Sequence, residues 1–345
     1  MFAAILLVCW RSATFGQTTD RKIGDAEKKA VAAIEKAGGC MAHDTGRVNC
    51  AVLFLSNTDI AAVMPQLKHL KDLEFLGFKY AANVTDDQLE VLAAIPTLKR
   101  LDLSSDKTTD KALKHIGRCK NLEVLRMGSM KLSVAGLKEL PALENLRELR
   151  IFSPALKGDE LKDVGLFKKL EVLETLPLTD EGLKGVGRIS TLRYLDLSKA
   201  AVTNAGMKDV AKLSNLEQLL LIENTISDDG VKEFVALKKL KRLLLEKVDI
   251  TDKSLETVGM LRGLESLSIQ ASKISDAGIP HLVKLEKLES LGLVGTQVTD
   301  DGIIGLASLR TLRELGVTQS QVTENGAKQL EKAIRGLKVR GAKPN

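Results

Sequence analysis

The sequence predicts an α/β fold in which short strands and short helices alternate and stack into an elongated solenoid. A segment of the form Leu-x-x-Leu-x-Leu occurs eleven times, and a helix start close to Thr-Asp-x-Gly-Leu follows it. Neighbouring copies are 24 residues apart, except for one interval of 25 and one of 22. A fixed period of this length is typical of repeat proteins. The copies begin at Leu73, Leu98, Leu122, Leu146, Leu170, Leu192, Leu216, Leu240, Leu264, Leu288 and Leu312.

The Leu-x-x-Leu-x-Leu segment has the pattern of a half-buried strand. In the copy that begins at Leu264, the apolar residues Leu267 and Ile269 alternate with the polar residue Ser268. A period of two places apolar side chains on one face of a strand and polar side chains on the other. A further inward residue follows five positions later. It is β-branched at Val202, Ile226, Ile250, Ile274, Val298 and Val322.

The second half of each repeat has the features of a helix N-terminus. Hydroxyl residues suited to capping a helix recur at Thr179, Thr203, Ser227, Thr251, Ser275, Thr299 and Thr323. An aspartate follows at Asp180, Asp228, Asp252, Asp276 and Asp300, where the helix dipole favours a negative charge. Glycine comes two residues later at Gly182, Gly206, Gly230, Gly278 and Gly302. Because glycine costs stability inside a helix, its recurrence predicts a close approach between stacked turns.

These motifs resemble those of leucine-rich repeat proteins over about residues 71–336. The helix start is similar to that of a bacterial class with 24-residue repeats, as in F-box-type and planctomycete leucine-rich repeat proteins. The resemblance implies a right-handed horseshoe with a parallel β-sheet on its concave side and helices on its convex side. The asparagine that the family carries at the ninth repeat position occurs only at Asn224. Other residues replace it elsewhere, such as Thr296 and Ser320.

The two ends of the chain are expected to differ from the repeats. Residues 1–16 resemble a secretory signal peptide, because an apolar run too short to span a bilayer precedes small residues suited to cleavage after Gly16. We therefore expect a secreted or periplasmic protein. Residues 17–70 are predicted to form an N-terminal cap with a helix over Asp25–Lys36 and a strand over 48–55. Residues 71–336 form the repeat domain, and 337–345 a final strand and tail.

The cysteines allow two interpretations near the N-terminus. In an oxidising compartment, Cys40 and Cys50 could close a small loop as a disulfide. A metal site made of Cys40, His43 and Cys50 is the sharper alternative, although it lacks a fourth ligand. Cys119 falls at the leucine position that precedes each strand, and it is expected to be a buried, unreactive thiol.

Composition and motifs point away from enzymatic function. The net charge of +6 is modest for 345 residues, and the basic residues are not interleaved with the aromatic residues that a nucleic-acid surface requires. The four histidines are dispersed, and the glycines follow the repeat rather than a phosphate-binding loop. Acidic doublets such as Asp86-Asp87 lie at helix starts, which explains them without calcium. We expect no catalytic residue, no cofactor, no metal and no nucleic-acid partner, and a monomeric chain.

The variable positions of each strand are expected to face the concave surface. The first of them alternates in charge over nine repeats, from Glu74 and Lys99 to Lys241 and Glu265, which predicts a ladder of ion pairs. The second and third positions predict a binding patch of aromatic, apolar and arginine side chains. Its residues are Tyr194, Leu220, Arg242 and Leu244, to which we add Val172 and Arg150.

The function that these observations favour is a non-catalytic, exported scaffold that binds a protein on its concave face. An adaptor or effector similar to F-box-type repeat proteins is one alternative, and a cell-wall or carbohydrate-binding module is another. A second candidate region lies between Ile151 and Thr179, where the 22-residue interval and two prolines interrupt the period. Harmless drift and a moulded binding notch are both compatible with that interruption.

Overall fold

A computed structural model describes residues 24–44, 47–54, 58–78, 83–153, 156, 167–176 and 178–344. In this part of the chain, fourteen strands form one sheet in which spatial order follows chain order. The first two strands are antiparallel, and the later neighbours are parallel. The strands are β1 Cys40–Asp44, β2 Arg47–Phe54, β3 Phe75–Phe78, β4 Arg100–Ser104, β5 Val124–Gly128, β6 Glu148–Phe152, β7 Val172–Leu176, β8 Tyr194–Asp196, β9 Gln218–Ile222, β10 Arg242–Glu246, β11 Ser266–Gln270, β12 Ser290–Val294, β13 Glu314–Gly316 and β14 Lys338–Arg340.

Short helices connect successive strands and complete the predicted solenoid. The α-helices are Asp25–Lys36, Ile60–Val63, Asp110–Ile116, Val134–Leu137, Asp180–Val186, Asn204–Val210, Asp228–Val231, Asp252–Val258, Ile279–Leu282, Asp300–Ile304 and Glu324–Ala333. Short stretches of 3-10 helix occupy Met64–His69, Asp87–Ala94, Leu140–Ala142, Lys232–Ala236, Asp276–Gly278 and Gly305–Ser308. Such short helices depend on packing against their neighbours rather than on their own helix propensity.

The parallel strands are aligned so that equivalent residues of successive repeats stand side by side. Leu219 is paired with Leu243, which is paired with Leu267, and each of these side chains is at most 2% exposed. Burial of a leucine side chain contributes about 1.5–3 kcal/mol. The core is therefore a continuous stack of leucine layers, and the period predicted from the sequence is confirmed.

Hydrogen bonds between helix starts join neighbouring repeats at eight junctions in the described residues. The Asp276 carboxylate accepts bonds from the backbone N–H and the hydroxyl of Thr299, at 2.8 and 2.6 Å. The same pair of bonds joins Asp86 to Thr109, Asp110 to Ser133, Asp180 to Thr203, Asp228 to Thr251, Asp252 to Ser275 and Asp300 to Thr323. We call this arrangement the aspartate clamp. At one position Asn204 replaces the aspartate and makes two equivalent bonds with Ser227.

The recurring glycines make room for this clamp. A Cβ atom added at Gly302 would lie 2.0 Å from the nearer carboxylate oxygen of Asp276. An added Cβ would similarly meet the clamp residue of the preceding repeat at Gly136, Gly206, Gly230, Gly278 and Gly326. The close approach predicted from the glycine pattern is confirmed, and its cause is a carboxylate or carboxamide rather than a helix backbone.

The capping prediction is confirmed at five of its seven positions. The hydroxyls of Thr179, Thr203, Thr251, Ser275 and Thr323 accept a bond from a backbone N–H in the first turn. It is wrong for Ser227 and Thr299, which make no such bond. Their hydroxyls are bonded to the clamp residues Asn204 and Asp276, as are the hydroxyls of Thr203, Thr251, Ser275 and Thr323, which also cap.

The predicted elements at the chain ends are present. The helix over Asp25–Lys36 and the final strand β14 lie where the sequence predicted them, and β2 is within one residue of its predicted bounds. Strand β1 was not predicted. The proposed signal peptide and most of the interrupted segment between β6 and β7 lie outside the described residues.

The cysteine predictions have mixed outcomes. Cys40 is a free cysteine and is paired in register with Leu53, three residues from Cys50. That offset is about 10 Å along a strand, which exceeds the Cα separation of a disulfide. The possible Cys40–Cys50 disulfide is therefore wrong. Cys119 is buried as expected, and burial raises the pKa of its thiol to about 11, against a smaller opposing effect of Lys120.

Candidate functional site on the concave sheet face

The side chains that face away from the leucine core form columns across the sheet. In β10, Arg242, Leu244 and Glu246 alternate with the buried residues Leu243 and Leu245. We number the columns by the variable positions of Leu-x-x-Leu-x-Leu-x. The first variable residue directly precedes the strand, and the second, third and fourth alternate with buried residues along the strand. Parallel pairing places neighbours within a column about 4.8 Å apart. Each side chain is therefore surrounded mainly by the equivalent residues of adjacent repeats.

The first column contains the predicted ladder of ion pairs over part of its length. Glu171 pairs with Arg147 and Arg193, and Glu217 pairs with Arg193 and Lys241. Hydrogen bonds from Lys241 and Arg193 lower the pKa of Glu217, against an opposing effect of burial. The alternation ends where Glu265 is followed by Glu289, and in the described part of the chain no ion pair reaches either carboxylate. The ladder prediction is thus confirmed between β6 and β10, and also at the pair of Glu74 and Lys99, whose charged atoms lie 3.1 Å apart.

A second ionic network crosses the N-terminal half of the face. Glu148 accepts hydrogen bonds from Arg126 at 2.6 Å and Arg150 at 2.7 Å, and Arg150 also pairs with Glu174. Burial opposes ionisation of Glu148, but the bonds from Arg126 and Arg150 outweigh it and lower its pKa. Sequence reasoning missed Glu148. The available signal was an acid in the second column with one arginine of the third column on its own strand and another on the preceding strand.

Arg150 and Tyr194 lie at the edge of this network. The Arg150 guanidinium carbon lies 5.9 Å from the centre of the Tyr194 ring, and Val172 is paired in register with Tyr194. Burial and the charges of Asp196 and Glu174 raise the pKa of Tyr194 to about 12. Arg150, predicted as a contact residue, is thus already engaged by two glutamates and a ring.

Apolar side chains appear in the third column as the network ends. Leu220 and Leu244 are paired in register, and both are half-buried. Ile222, which sequence reasoning missed, extends this group two residues along β9. Arg242 precedes Leu244 by two residues and is exposed. The structure thus brings Val172 and Tyr194 together, and Leu220, Leu244 and Arg242 together, with Gln218 between Tyr194 and Arg242.

Within the described residues, no group of three or more His, Cys, Asp and Glu side chains is placed to hold a metal ion. The alternative metal site at Cys40, His43 and Cys50 involves side chains outside the described part. No helix in the described ranges is long and apolar enough to cross a bilayer. The arrangement that is present, with aliphatic, aromatic and charged groups on an open sheet, is suited to binding an extended surface.

Comparisons with known proteins agree with this architecture. A family model described as a leucine-rich repeat matches residues 188–211. The chain is similar in structure to an internalin from Listeria monocytogenes, with a TM-score of 0.60 and 18% sequence identity over 92% of this chain and 94% of that one. A leucine-rich repeat protein from Leptospira interrogans has a TM-score of 0.45 and 18% identity over 81% of this chain and 86% of that one. A search of curated proteins found no match.

The repeated motif, the parallel sheet and the matching repeat model define the class. The chain has a leucine-rich repeat fold, the predicted right-handed α/β solenoid, and residues 188–211 match the repeat model itself. Its similarity to the internalin structure extends over nearly the whole of both chains.

Proposed function

We propose that the protein is an exported, non-catalytic scaffold that binds a protein partner on the concave face of its sheet. The observation that carries this proposal is the in-register pair of Leu220 and Leu244 in a column whose other members from β3 to β14 are charged residues, serine or glycine. Two adjacent half-buried leucines beside Ile222 offer apolar area that an occupant can remove from water. Leucine-rich repeat proteins usually bind proteins, which makes a protein the favoured occupant.

The surroundings of the leucine pair support the same location. Tyrosine and arginine contribute strongly to binding energy at protein interfaces, and Tyr194 and Arg242 lie on either side of Gln218 in the second column. On the N-terminal side, by contrast, Glu148 and Arg150 are bonded to other residues of the chain. A partner that displaced those bonds would lose their energy. Binding is therefore favoured at β8–β10.

Partner capture tests the location. The full chain is used to isolate its partner from the native organism, and binding of the purified partner is compared with that of Leu220→Asp and Tyr194→Ala. We expect Leu220→Asp to weaken binding at least about tenfold, because it places a charge in an apolar contact. The matched control is Ile304→Asp, the same kind of change at a residue that is 40% exposed on a helix. Unchanged affinity in both test variants, with thermal melts like the wild type, refutes the site.

The expected export is tested separately. Fractionation of the native organism and intact-mass measurement should yield a form outside the cytoplasm that lacks about the first 16 residues. A full-length cytoplasmic form contradicts export without affecting the binding site.

The carbohydrate-binding alternative is less well supported. Two aromatic rings of this face are already approached by guanidinium groups, Phe75 by Arg100 at 4.8 Å and Tyr194 by Arg150.

A further inference from the structure

Two charged residues on β10 differ from the other charges of the concave strands. Arg242 is flanked in its column by the neutral residues Gln218 and Ser266, and Glu246 by Ile222 and Gln270. In the described part of the chain, no hydrogen bond or ion pair reaches either side chain. The neighbouring ammonium of Lys247 is hydrogen-bonded to Glu223, and the charge of Glu246 acts on it more weakly. The two charges also do not neutralise each other, because four residues of a strand separate them by about 13 Å.

Leu244 lies between these two charges on the same strand face. The strand therefore presents, in line, a cation, an aliphatic side chain and an anion, each about 6.6 Å from the next. Leu220 and Ile222 on β9 widen the aliphatic centre. On the other side, Ser266, Ser268 and Gln270 of β11 supply no competing charge within the strand.

From this arrangement we infer the chemistry of the partner: it presents an extended segment in which an acidic, an aliphatic and a basic side chain alternate on one face. This inference rests on the proposed function and assigns the recognised class. The acidic side chain meets Arg242, the aliphatic one packs on Leu244, Leu220 and Ile222, and the basic one meets Glu246. Alternate side chains of an extended peptide have the same 6.6 Å spacing as these three residues, so all three contacts form together. Charge complementarity of this kind selects partners more than it adds affinity.

The first column bears on this polarity, because its carboxylates could repel an acidic side chain at Arg242. Glu265 lies there, diagonal to Arg242 on the neighbouring strand. Lys241 lies beside it in the same column, because Arg242 and Ser266 are paired in register. The Lys241 ammonium is bonded to Glu217 at 3.0 Å rather than to Glu265, so Glu265 weakens the attraction. The attraction of Arg242 still dominates, because Arg242 contacts the acidic side chain directly and Glu265 lies on the diagonal.

The test uses synthetic peptides in a serine and glycine host, titrated into the full-length protein at low ionic strength. One peptide carries acid-x-Leu-x-base, and the controls carry acid-x-Leu-x-acid, base-x-Leu-x-base and acid-x-Ser-x-base. We expect the first peptide to bind roughly three- to tenfold more tightly than each control. Arg242→Glu should shift the preference to base-x-Leu-x-base, and Glu246→Arg to acid-x-Leu-x-acid. Lys208→Glu makes an equal change of charge at an exposed helix residue, and it should leave the order of affinities for the four peptides as in the wild type.

Three results overturn the inference. One is that Arg242→Glu and Glu246→Arg change the affinity for all the peptides by the same factor. Another is that a helical peptide with the three groups four residues apart binds more tightly than the acid-x-Leu-x-base peptide. The third is no detectable peptide binding while Leu220→Asp still abolishes partner capture. In each case the proposed function stands if partner capture depends on Leu220. Unchanged capture by both Leu220→Asp and Tyr194→Ala refutes the inference and the proposed function together.

Discussion

The aspartate clamp predicts a strong energetic coupling between two residues of adjacent repeats. Asp276 bonds to the N–H and the hydroxyl of Thr299, and Gly302 leaves the space that its carboxylate occupies. A methyl group added at Gly302 would lie 2.0 Å from a carboxylate oxygen, so Gly302→Ala must displace Asp276 from Thr299. Asp276→Ala removes the same two bonds directly. The two substitutions should therefore damage the same interaction by different routes.

The magnitude follows from the bonds involved. Hydrogen bonds to a charged group contribute about 1.5–3 kcal/mol each, less where water competes, so each single substitution should lower the free energy of unfolding by about 2–4 kcal/mol. In the double variant the bonds are lost only once, and the clash is absent. The remaining close neighbour is Val298, whose Cγ1 would lie 3.1 Å from the added methyl. Because alanine is favoured over glycine inside a helix by about 1 kcal/mol, the double variant should be no less stable than Asp276→Ala.

A double-mutant cycle measures this coupling. Urea denaturation followed by circular dichroism gives the free energies, and native-state hydrogen exchange of amides in Asp300–Ile304 reports the local stability. The coupling should be about 2–4 kcal/mol in the direction of rescue. The matched control is Gly305→Ala, where an added methyl meets only Ile279 at an ordinary 3.5 Å. If the effects of Gly302→Ala and Asp276→Ala on the free energy of unfolding are additive, as those of Gly305→Ala and Asp276→Ala should be, the glycine pattern does not serve the clamp and the reasoning is refuted.

Three further predictions concern titration and ion pairing. Burial would raise the pKa of Asp228, but its hydrogen bonds outweigh burial and lower the pKa. The contribution of Asp228 to stability is therefore present above its ordinary pKa and is lost as the pH falls. In urea denaturation below about pH 4, the wild type should lose its stability advantage over Asp228→Asn. Glu148→Gln should lower the free energy of unfolding at neutral pH by about 1–2 kcal/mol, less in high salt, and an unchanged value contradicts the network. In a Tyr80→Phe background, ultraviolet titration should give Tyr194 a pKa of about 12, and an ordinary value near 10 contradicts its burial among carboxylates.

Most of the fold could be predicted from the sequence because each repeat supplies the same local information eleven times. The strands follow from alternating leucines, and the helix starts follow from hydroxyl and acidic residues. The partner of each aspartate could not be predicted, because the clamp bonds join residues 23 positions apart in stacked repeats. The left-handed backbone conformation after several strands could not be predicted either. It is usually indicated by glycine, but here it is adopted by residues such as Lys199, Glu223 and Lys247.

The candidate site was partly predictable for the same reason. A constant period allows columns to be read directly from the sequence, and Leu220 and Leu244 are adjacent as that arithmetic requires. Contacts between columns are different, because they depend on side-chain conformation. Glu148 accepts bonds from Arg126 on the preceding strand and from Arg150 on its own strand, and neither contact follows a column. Such diagonal contacts require coordinates.

The concave face shows why the number of charges is a poor guide to binding in a stacked repeat. Its N-terminal half has many charges, but neighbouring columns place opposite charges together, and residues such as Arg150 are bonded on two sides. Recruiting them for a partner would first require breaking those bonds. The C-terminal half has fewer charges along its strands, and Arg242 has only neutral neighbours in its column. Electrostatic selection by a solenoid should therefore occur where charge is sparse, because only there can a partner provide the missing counter-charge.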